Sequence, residues 1–390
     1  MTAAIAAATR GATVTLYEQR SQVGQKILGT GSGKCNLGNM QMGWENFYSS
    51  EPEHMRVILE KFTLADTMDF FADLGVLIRE KNGHLYPYAE QAKVVLDAFK
   101  LKLNEMGINV ICNNAVTAVA RQSGTAFNIY GLKYDKVIIA SGSVAGKNNG
   151  PAKSGLRIAK ASGHRIIPQV PGLCRLHSKD EFLPALAGVR SRARATLMVD
   201  GEKAGESVGE IQFNQGILSG IVIFQLSRIA AYALADERDV SIRVDFFPDF
   251  SVDEYMRICK KRIGLVENSR KTVAEFLVGM SNKRVSQVLI KKAGFYDDDW
   301  AADLSDVELE SLMMAYRSLE FRISKTDGKE NAQVVAGGVA LSELDENLQS
   351  LKVPGLYFCG EVVDVDARCG GYNLQWAWSS GHVVGQEAAS

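Results

Sequence analysis

The sequence predicts an α/β fold: a nucleotide-binding type of parallel-sheet domain, in two separated pieces, with antiparallel β and helical regions inserted between them. Three observations carry this. The chain opens "MTAAIAAATRGATVTLYEQ", a small-residue helix, a turn at Gly11 and a short strand running into Glu18. It closes on "NAQVVAGGVAL" and "GLYFCGEVVDVD", each a strand followed by a tight turn, and then on a glycine loop and helix, "CGGYNLQWAWSSGHVVGQEAA". Between these ends, residues 168–248 show short alternating segments with glycine turns, a mark of antiparallel β, and 252–318 read as helical.

Residues 2–10 are small almost throughout. Such a helix can lie close against a sheet, as the helix after a dinucleotide-binding loop must. The strand 13–17 ends at Glu18, where a carboxylate is placed to accept from ribose hydroxyls; a solvated acid is the plainer alternative. Next comes "VGQKILGTGSGKCNLGN", whose alternating glycines allow close backbone approach and an anion nest. Its spacing is not that of a Walker loop.

Helical periodicity over 52–80 gives way to "LGVLIREKNGHLYP", a hairpin about Asn82-Gly83. Residues 93–106 form an amphipathic helix, 110–129 one or two strands, and "KVIIASGS" a buried strand entering a Ser-Gly turn. In 252–318 the apolar positions Tyr255, Ile258, Ile263, Phe276, Val285, Leu289, Leu312 and Met313 are expected to be core. The domain division that follows is 1–167 with 319–390, an antiparallel insertion at 168–250 and a helical one at 251–318.

Composition narrows the function. A length of 390 residues supports more than one domain, and a net charge of −1 with no evident basic patch argues against nucleic acid as partner. The six cysteines lack CxxC spacing and the five histidines lack zinc-motif spacing, so neither a disulfide scaffold nor a metal site is expected. A reducing cytoplasm fits this cysteine usage. No apolar run approaches the length of a membrane span, and the alanine-rich start lacks the basic residue of a signal peptide.

The segments "GSGKCNLGN", "GEIQFNQGILSG", "AGGVAL" and "GLYFCGEVVDVDARCGGYNLQWAWSSG" together resemble a bacterial family of NAD(P)/FAD-dependent oxidoreductases, known also as aminoacetone oxidase family flavoproteins. The resemblance spans essentially the whole chain, and one member type reduces ring-unsaturated 3-oxo bile-acid intermediates. It implies a glutathione-reductase-like FAD-binding Rossmann domain, interrupted by a β-barrel-like unit and a helical unit. Members begin with a strand and a GxGxxG loop that run into the opening helix; both are expected to be missing from this sequence, which starts inside that helix. Smaller departures are Val335, often Thr in the family, and Cys359, commonly Ala.

On this resemblance Glu18 binds the adenosine ribose, and Lys26 with Gly31, Ser32, Gly33, Lys34, Cys35 and Asn36 lies along the FAD. Val116 offers its backbone to the adenine, and Ala140, Ser141 and Gly142 form the small turn after a flavoprotein strand. Gly360 and Glu361 support the ribityl chain. Gly370, Gly371, Tyr372, Asn373 and Leu374 start a helix whose N–H groups face the flavin pyrimidine edge, where negative charge grows on reduction. The chemistry belongs to the flavin, so no nucleophile triad is expected and no catalytic residue is assigned. Cys35, beside Lys34, is a candidate reactive thiol, with a small packed thiol the favoured alternative. Asp364 and Asp366 suit a proton path or structural capping equally, and His84 and Tyr86 are candidates to face a substrate.

The expected activity is NAD(P)H-driven reduction of a conjugated enone in a hydrophobic, bile-acid or sterol-like small molecule. The alternatives are an oxidase of a small amine such as aminoacetone, and a non-catalytic or FAD-deficient form lacking its first strand. Flavin-dependent RNA modification is a further class, set lower by the near-neutral charge. No second nucleotide fingerprint for NAD(P)H is present, and the pocket is expected to be shaped by the insertion.

Overall fold

The computed structural model describes residues 1–121, 126–146, 154–266 and 270–390. They form two compact units: Met1–Val170 with Lys329–Ser390, and Pro171–Gly328.

The first unit is built on close helix contact. Helix Thr2–Thr9 is buried from Thr2 to Ala7 and packs along the C-terminal helix Tyr372–Ala388. A Cβ at Gly385 would lie 2.3 Å from Ala3 O and 2.7 Å from Ala6 Cβ, so the approach requires small residues on both helices. Two parallel strand pairs follow: Thr15–Tyr17 with Asn109–Ile111, and Val137–Ile139 with Leu356–Phe358. Strand Ile166–Gly172 pairs with Val334–Val339. The parallel, helix-connected pairs make this the Rossmann-type domain the sequence predicts.

Two helices, Pro52–Lys61 and Leu64–Asp73, replace the single expected stretch, because Thr63 and Asp66 form a capping box that starts a new helix. The hairpin Ile78–Lys81 and His84–Pro87 turns at Asn82 (φ 52°) and Gly83 (φ 82°), the left-handed pair a two-residue turn requires. Helix Ala92–Glu105 sends Phe99 into the core, where its ring lies 5.8 Å from Trp378, itself 5.3 Å from Phe71. Trp378 Nε1 donates to Leu37 O at 3.1 Å, which fixes the chain just after the 29–36 loop.

The second unit is a closed six-stranded antiparallel barrel. The order is Leu176–Ser178, Ile217–Ser219, Glu202–Asn214, Arg190–Val199, Val240–Asp245 and Leu319–Thr326, which returns to the first. Alternation along Arg190–Val199 puts Ala193, Ala195, Leu197 and Val199 inside. Helix Ile221–Ala235 packs on the barrel over Gly205 and Gly209. Helices Val252–Ile263, Lys283–Lys292 and Asp306–Met314 follow; the first and third start in Ser-x-x-Glu capping boxes. Their buried positions include Tyr255, Ile263, Val285, Leu289, Leu312 and Met313, but Ile258 is 42% exposed. The core stripe of its helix is Tyr255, Cys259 and Ile263, and Ile258 faces away from it. Leu319–Thr326, placed by sequence in the returning cofactor domain, is a barrel strand: its inward Leu319, Phe321 and Ile323 alternate as a half-buried antiparallel strand does.

No helix among the described residues is long and apolar enough to cross a membrane. No disulfide joins cysteines among the described residues.

Candidate active site

The sequence-predicted residues of the first unit gather in three groups. The first surrounds the loop after helix Gln25–Gly29. Gly31, Ser32, Gly33 and Cys35 all take positive φ (54°, 55°, 87° and 59°), so the backbone folds back on itself and Cys35 N donates to Thr30 O. Ser32 and Cys35 hold this conformation without the freedom of glycine, a strain that marks functional loops. Gly31, Ser32, Gly33 and Lys34 are exposed; Cys35, Asn36, Leu37, Gly38 and Asn39 are buried.

The buried half is pinned by two other segments. Gly38 and Asn39 pair with Leu85 and His84 of the hairpin. Asn39 Nδ2 donates to Gly370 O at 3.1 Å and Tyr372 Oη to Gln41 O at 3.2 Å, which ties the loop to the C-terminal turn. Gly371 caps the final helix at φ 97° with no side-chain cap, leaving that helix's first N–H groups to outside partners. A Cβ on Gly371 would stand 2.8 Å from Gly38 O and 2.9 Å from Asn36 Oδ1, so glycine is required for both conformation and space. Asn373 closes the turn, accepting from Ala367 N and donating to Ala367 O, both at 2.9 Å; Leu374 continues the helix behind it.

The second group centres on Glu361. Its Oε1 accepts from Val335 N at 3.1 Å and its Oε2 pairs with Lys26 Nζ, while a Cβ built on Gly142 (φ 67°) would lie 4.0 Å from Oε2. Gly360, at φ 70°, donates to Ser380 Oγ at 2.9 Å and accepts from Trp376 Nε1 at 3.1 Å. Glu361 thus ties Lys26, just before the glycine loop, to the Val334–Val339 strand. The third group lies at the end of Thr15–Tyr17. Glu18 Oε1 accepts from Arg20 N at 2.9 Å, while Oε2 has no partner among the described residues. Asn113 N and Asn114 N donate to Arg20 O and Glu18 O, so the loop that carries half-buried Val116 runs beside this carboxylate.

The electrostatics decide between the two expectations for Cys35. Its thiol is fully buried, and burial pushes its pKa up to about 11. Lys34 does not lower it, because its ammonium is turned to Glu90 at 2.8 Å, where Arg79 also binds at 2.9 Å. A thiol so placed is a packed group, not a nucleophile. Asp364 is buried and accepts from Ser50 N at 3.0 Å and Ser50 Oγ at 2.6 Å; Asp366, also buried, pairs with Tyr48 across two short strands.

These groups offer what a flavin dinucleotide needs. Glu18 Oε2 is an open acceptor for ribose hydroxyls, and the 29–36 loop exposes backbone for close approach. Asn36 Oδ1 is buried without a partner beside an uncapped helix N-terminus, a cost that a ligand donor would relieve. Two residues at this site were not assigned by motif. Asn39 could have been found from its spacing with Asn36 on the glycine loop; His84 was named only as a substrate-facing candidate.

A Rossmann domain with such a site defines a flavin-type oxidoreductase. Residues 1–387 match the family described as HI0933-like protein Rossmann domain, and the chain belongs to that family. Over 99% of this chain and 96% of the relative it is 34% identical to the 3-dehydro-bile acid delta(4,6)-reductase of Clostridium scindens. It is 27% identical to the ribosomal RNA dihydrouridine synthases of Haemophilus influenzae, over 95% of this chain and 91% of that one, and of Escherichia coli, over 97% and 92%. Among solved structures it is similar to a 3-ketosteroid-delta4-(5alpha)-dehydrogenase from Rhodococcus jostii, at 13% identity and a TM-score of 0.45, covering all of this chain and 94% of that one. The chain is an FAD-dependent oxidoreductase.

Proposed function

We propose that the chain reduces a carbon–carbon double bond conjugated with a carbonyl in a hydrophobic small molecule of steroid or bile-acid type, with NAD(P)H as electron source. One observation carries this reading: the 34% identity, over nearly the full chain, with a reductase named for the delta(4,6) positions of a 3-dehydro-bile acid. The dihydrouridine synthases widen it in a consistent way, because the double bond saturated in uridine is also conjugated with a ring carbonyl. The shared chemistry is enone reduction, and the two kinds of relative differ in what carries the enone.

When bound, FAD supplies the two-electron chemistry. The chain's residues do the rest. Glu18 would hold the ribose end, the 29–36 loop would lie along the cofactor, and the uncapped start of helix Tyr372–Ala388 would offer it a positive dipole end. The buried Phe71, Phe99 and Trp378 behind Leu37 make the floor of the loop rigid and dry.

A second reading takes RNA as the enone carrier. The near-neutral total charge hides an uneven distribution: residues 252–295 contain ten Lys and Arg against four Asp and Glu. Of the ten, Arg257, Lys260, Lys261, Arg270, Lys271, Lys283, Arg284, Lys291 and Lys292 are exposed. That local excess supports a phosphate-binding surface and reopens the nucleic-acid partner set aside on net charge.

One experiment separates the readings. The FAD-loaded protein is supplied anaerobically with NADH or NADPH and either a 3-oxo-4,6-diene steroid acid or unmodified ribosomal RNA, and products are read by mass. Addition of one H2 to the steroid supports the first reading; addition to uridine in RNA, with binding that weakens steeply in salt, supports the second. Turnover of aminoacetone that stops without oxygen would refute both.

A further inference from the structure

Strand His84–Pro87 buries Leu85 and Pro87 and leaves His84 and Tyr86 half-buried on its other face. Two side-chain amides converge on one atom of His84: Asn36 Nδ2 and Asn39 Nδ2 lie 3.1 and 3.3 Å from Nδ1. An amide NH2 can only donate, so Nδ1 accepts, and the proton of the neutral ring sits on Nε2. The orientation of Asn39 is fixed, because its amide also donates to Gly370 O at 3.1 Å and accepts from Gln41 N at 2.9 Å. Nε2 has no hydrogen-bond partner among the described residues. The residues that assemble the cofactor turn therefore also set the tautomer of a ring they do not otherwise use.

We propose that His84 is a catalytic residue: a neutral imidazole whose Nε2–H donates to the carbonyl oxygen of the substrate. The proposal rests on the enone-reduction reading and names a residue for it. In that reaction a hydride equivalent from the reduced flavin, itself reduced by a nicotinamide-class donor, forms a C–H bond at the β-carbon. The electron pair of the C=C bond shifts to leave an enolate with its charge on the carbonyl oxygen. The α-carbon then takes a proton from water, and the net change is addition of one H2. Charge grows on that oxygen in the transition state, so a preorganised donor there stabilises the transition state more than the ground state. A neutral imidazole suits the task because it polarises the oxygen without surrendering its proton.

The test has two arms on the FAD-loaded protein. In the first, 15N-histidine labelling and long-range 15N–1H correlation read the His84 tautomer in mildly alkaline buffer, with peaks assigned by comparison with His84→Gln. The expected result is a protonated Nε2 and a bare Nδ1; a protonated Nδ1 overturns the proposal without any substrate. In the second, His84→Leu and His84→Gln are compared in reduction of a 3-oxo-4,6-diene steroid acid. Leu is expected to lower kcat about 100- to 1,000-fold with little change in KM, as loss of one oxyanion donor does. Gln, whose amide can donate from nearly the same place, is expected to stay within about tenfold of wild type. Wild-type kcat in the Leu variant overturns the proposal. So does a Gln variant as poor as Leu with FAD shed from both, the pattern of a structural role. If wild type keeps FAD and leaves the steroid unreduced, the functional reading fails, and the tautomer arm separately judges His84.

Discussion

Gly371→Ala is the sharpest perturbation of the cofactor turn. Gly371 sits at φ 97°, and holding an alanine in left-handed backbone costs about 1–2 kcal/mol. The new Cβ would stand 2.8 Å from both Gly38 C and Gly38 O and 2.9 Å from Asn36 Oδ1. Two of those atoms are backbone in a strand pair and cannot move alone, so overpacking adds about 1–3 kcal/mol. The sum, about 2–5 kcal/mol, corresponds to a drop in Tm of roughly 5–15 °C for a unit of this size. The movement needed to relieve the clash pulls Gly370 from Asn39 and tilts the helix start, so FAD should be shed as well. Gly107→Ala is the control: Gly107 has φ 65° and nothing within 4 Å, so it carries the backbone cost alone. The assay is thermal unfolding by circular dichroism, with the flavin absorbance ratio after gel filtration. If Gly371→Ala keeps its flavin and melts no lower than Gly107→Ala, the close approach of turn and loop is not what builds the site.

Burial pushes the imidazoles of His164 and His382 down, so the folded protein takes up protons there less readily than an unfolded chain. An unfolded chain takes up those protons first as pH falls, so their contribution is complete above the ordinary imidazole range and declines through it, by up to about 1.4 kcal/mol per pH unit for each group. Tm should therefore fall between about pH 7.5 and 5.5, before carboxylates titrate, and a flat profile there would contradict the burial of these rings. Cys35 should resist iodoacetamide in the native protein and react only on unfolding, whereas half-buried Cys112 labels in the native state; native labelling of Cys35, read by peptide mapping, counts against the packed thiol. At Glu361, Ala strands the Val335 N–H and should cost about 1–3 kcal/mol. Gln keeps that acceptor and loses only the pair with half-exposed Lys26, worth about 1 kcal/mol or less, so equal melting of the two variants would show that the clamp on Val335 does not matter.

The amino-acid sequence by itself determined the local elements and the kind of site. The small-residue opening helix, the Asn82-Gly83 hairpin, the alternating Arg190–Val199 strand and the glycine-started final helix follow from side-chain size, periodicity and turn chemistry, which act within a few residues. The glycine loop and the C-terminal turn were recognisable for the same reason. What the tertiary structure decided is everything set by partners distant in the chain. Leu319–Thr326 joins the barrel because its place is beside Leu176–Ser178, and no local pattern names that neighbour. Ile258 is apolar yet turned outward, because the stripe its helix buries is chosen by what packs against it. Cys35 is inert because the fold buries it completely while Lys34 turns to Glu90, and His84 acquires a defined tautomer because two asparagines more than forty residues before it in the chain aim their amides at one nitrogen. Hydrogen-bond direction and burial belong to pairs of groups brought together in space, and a single chain read from end to end contains only one member of each pair at a time.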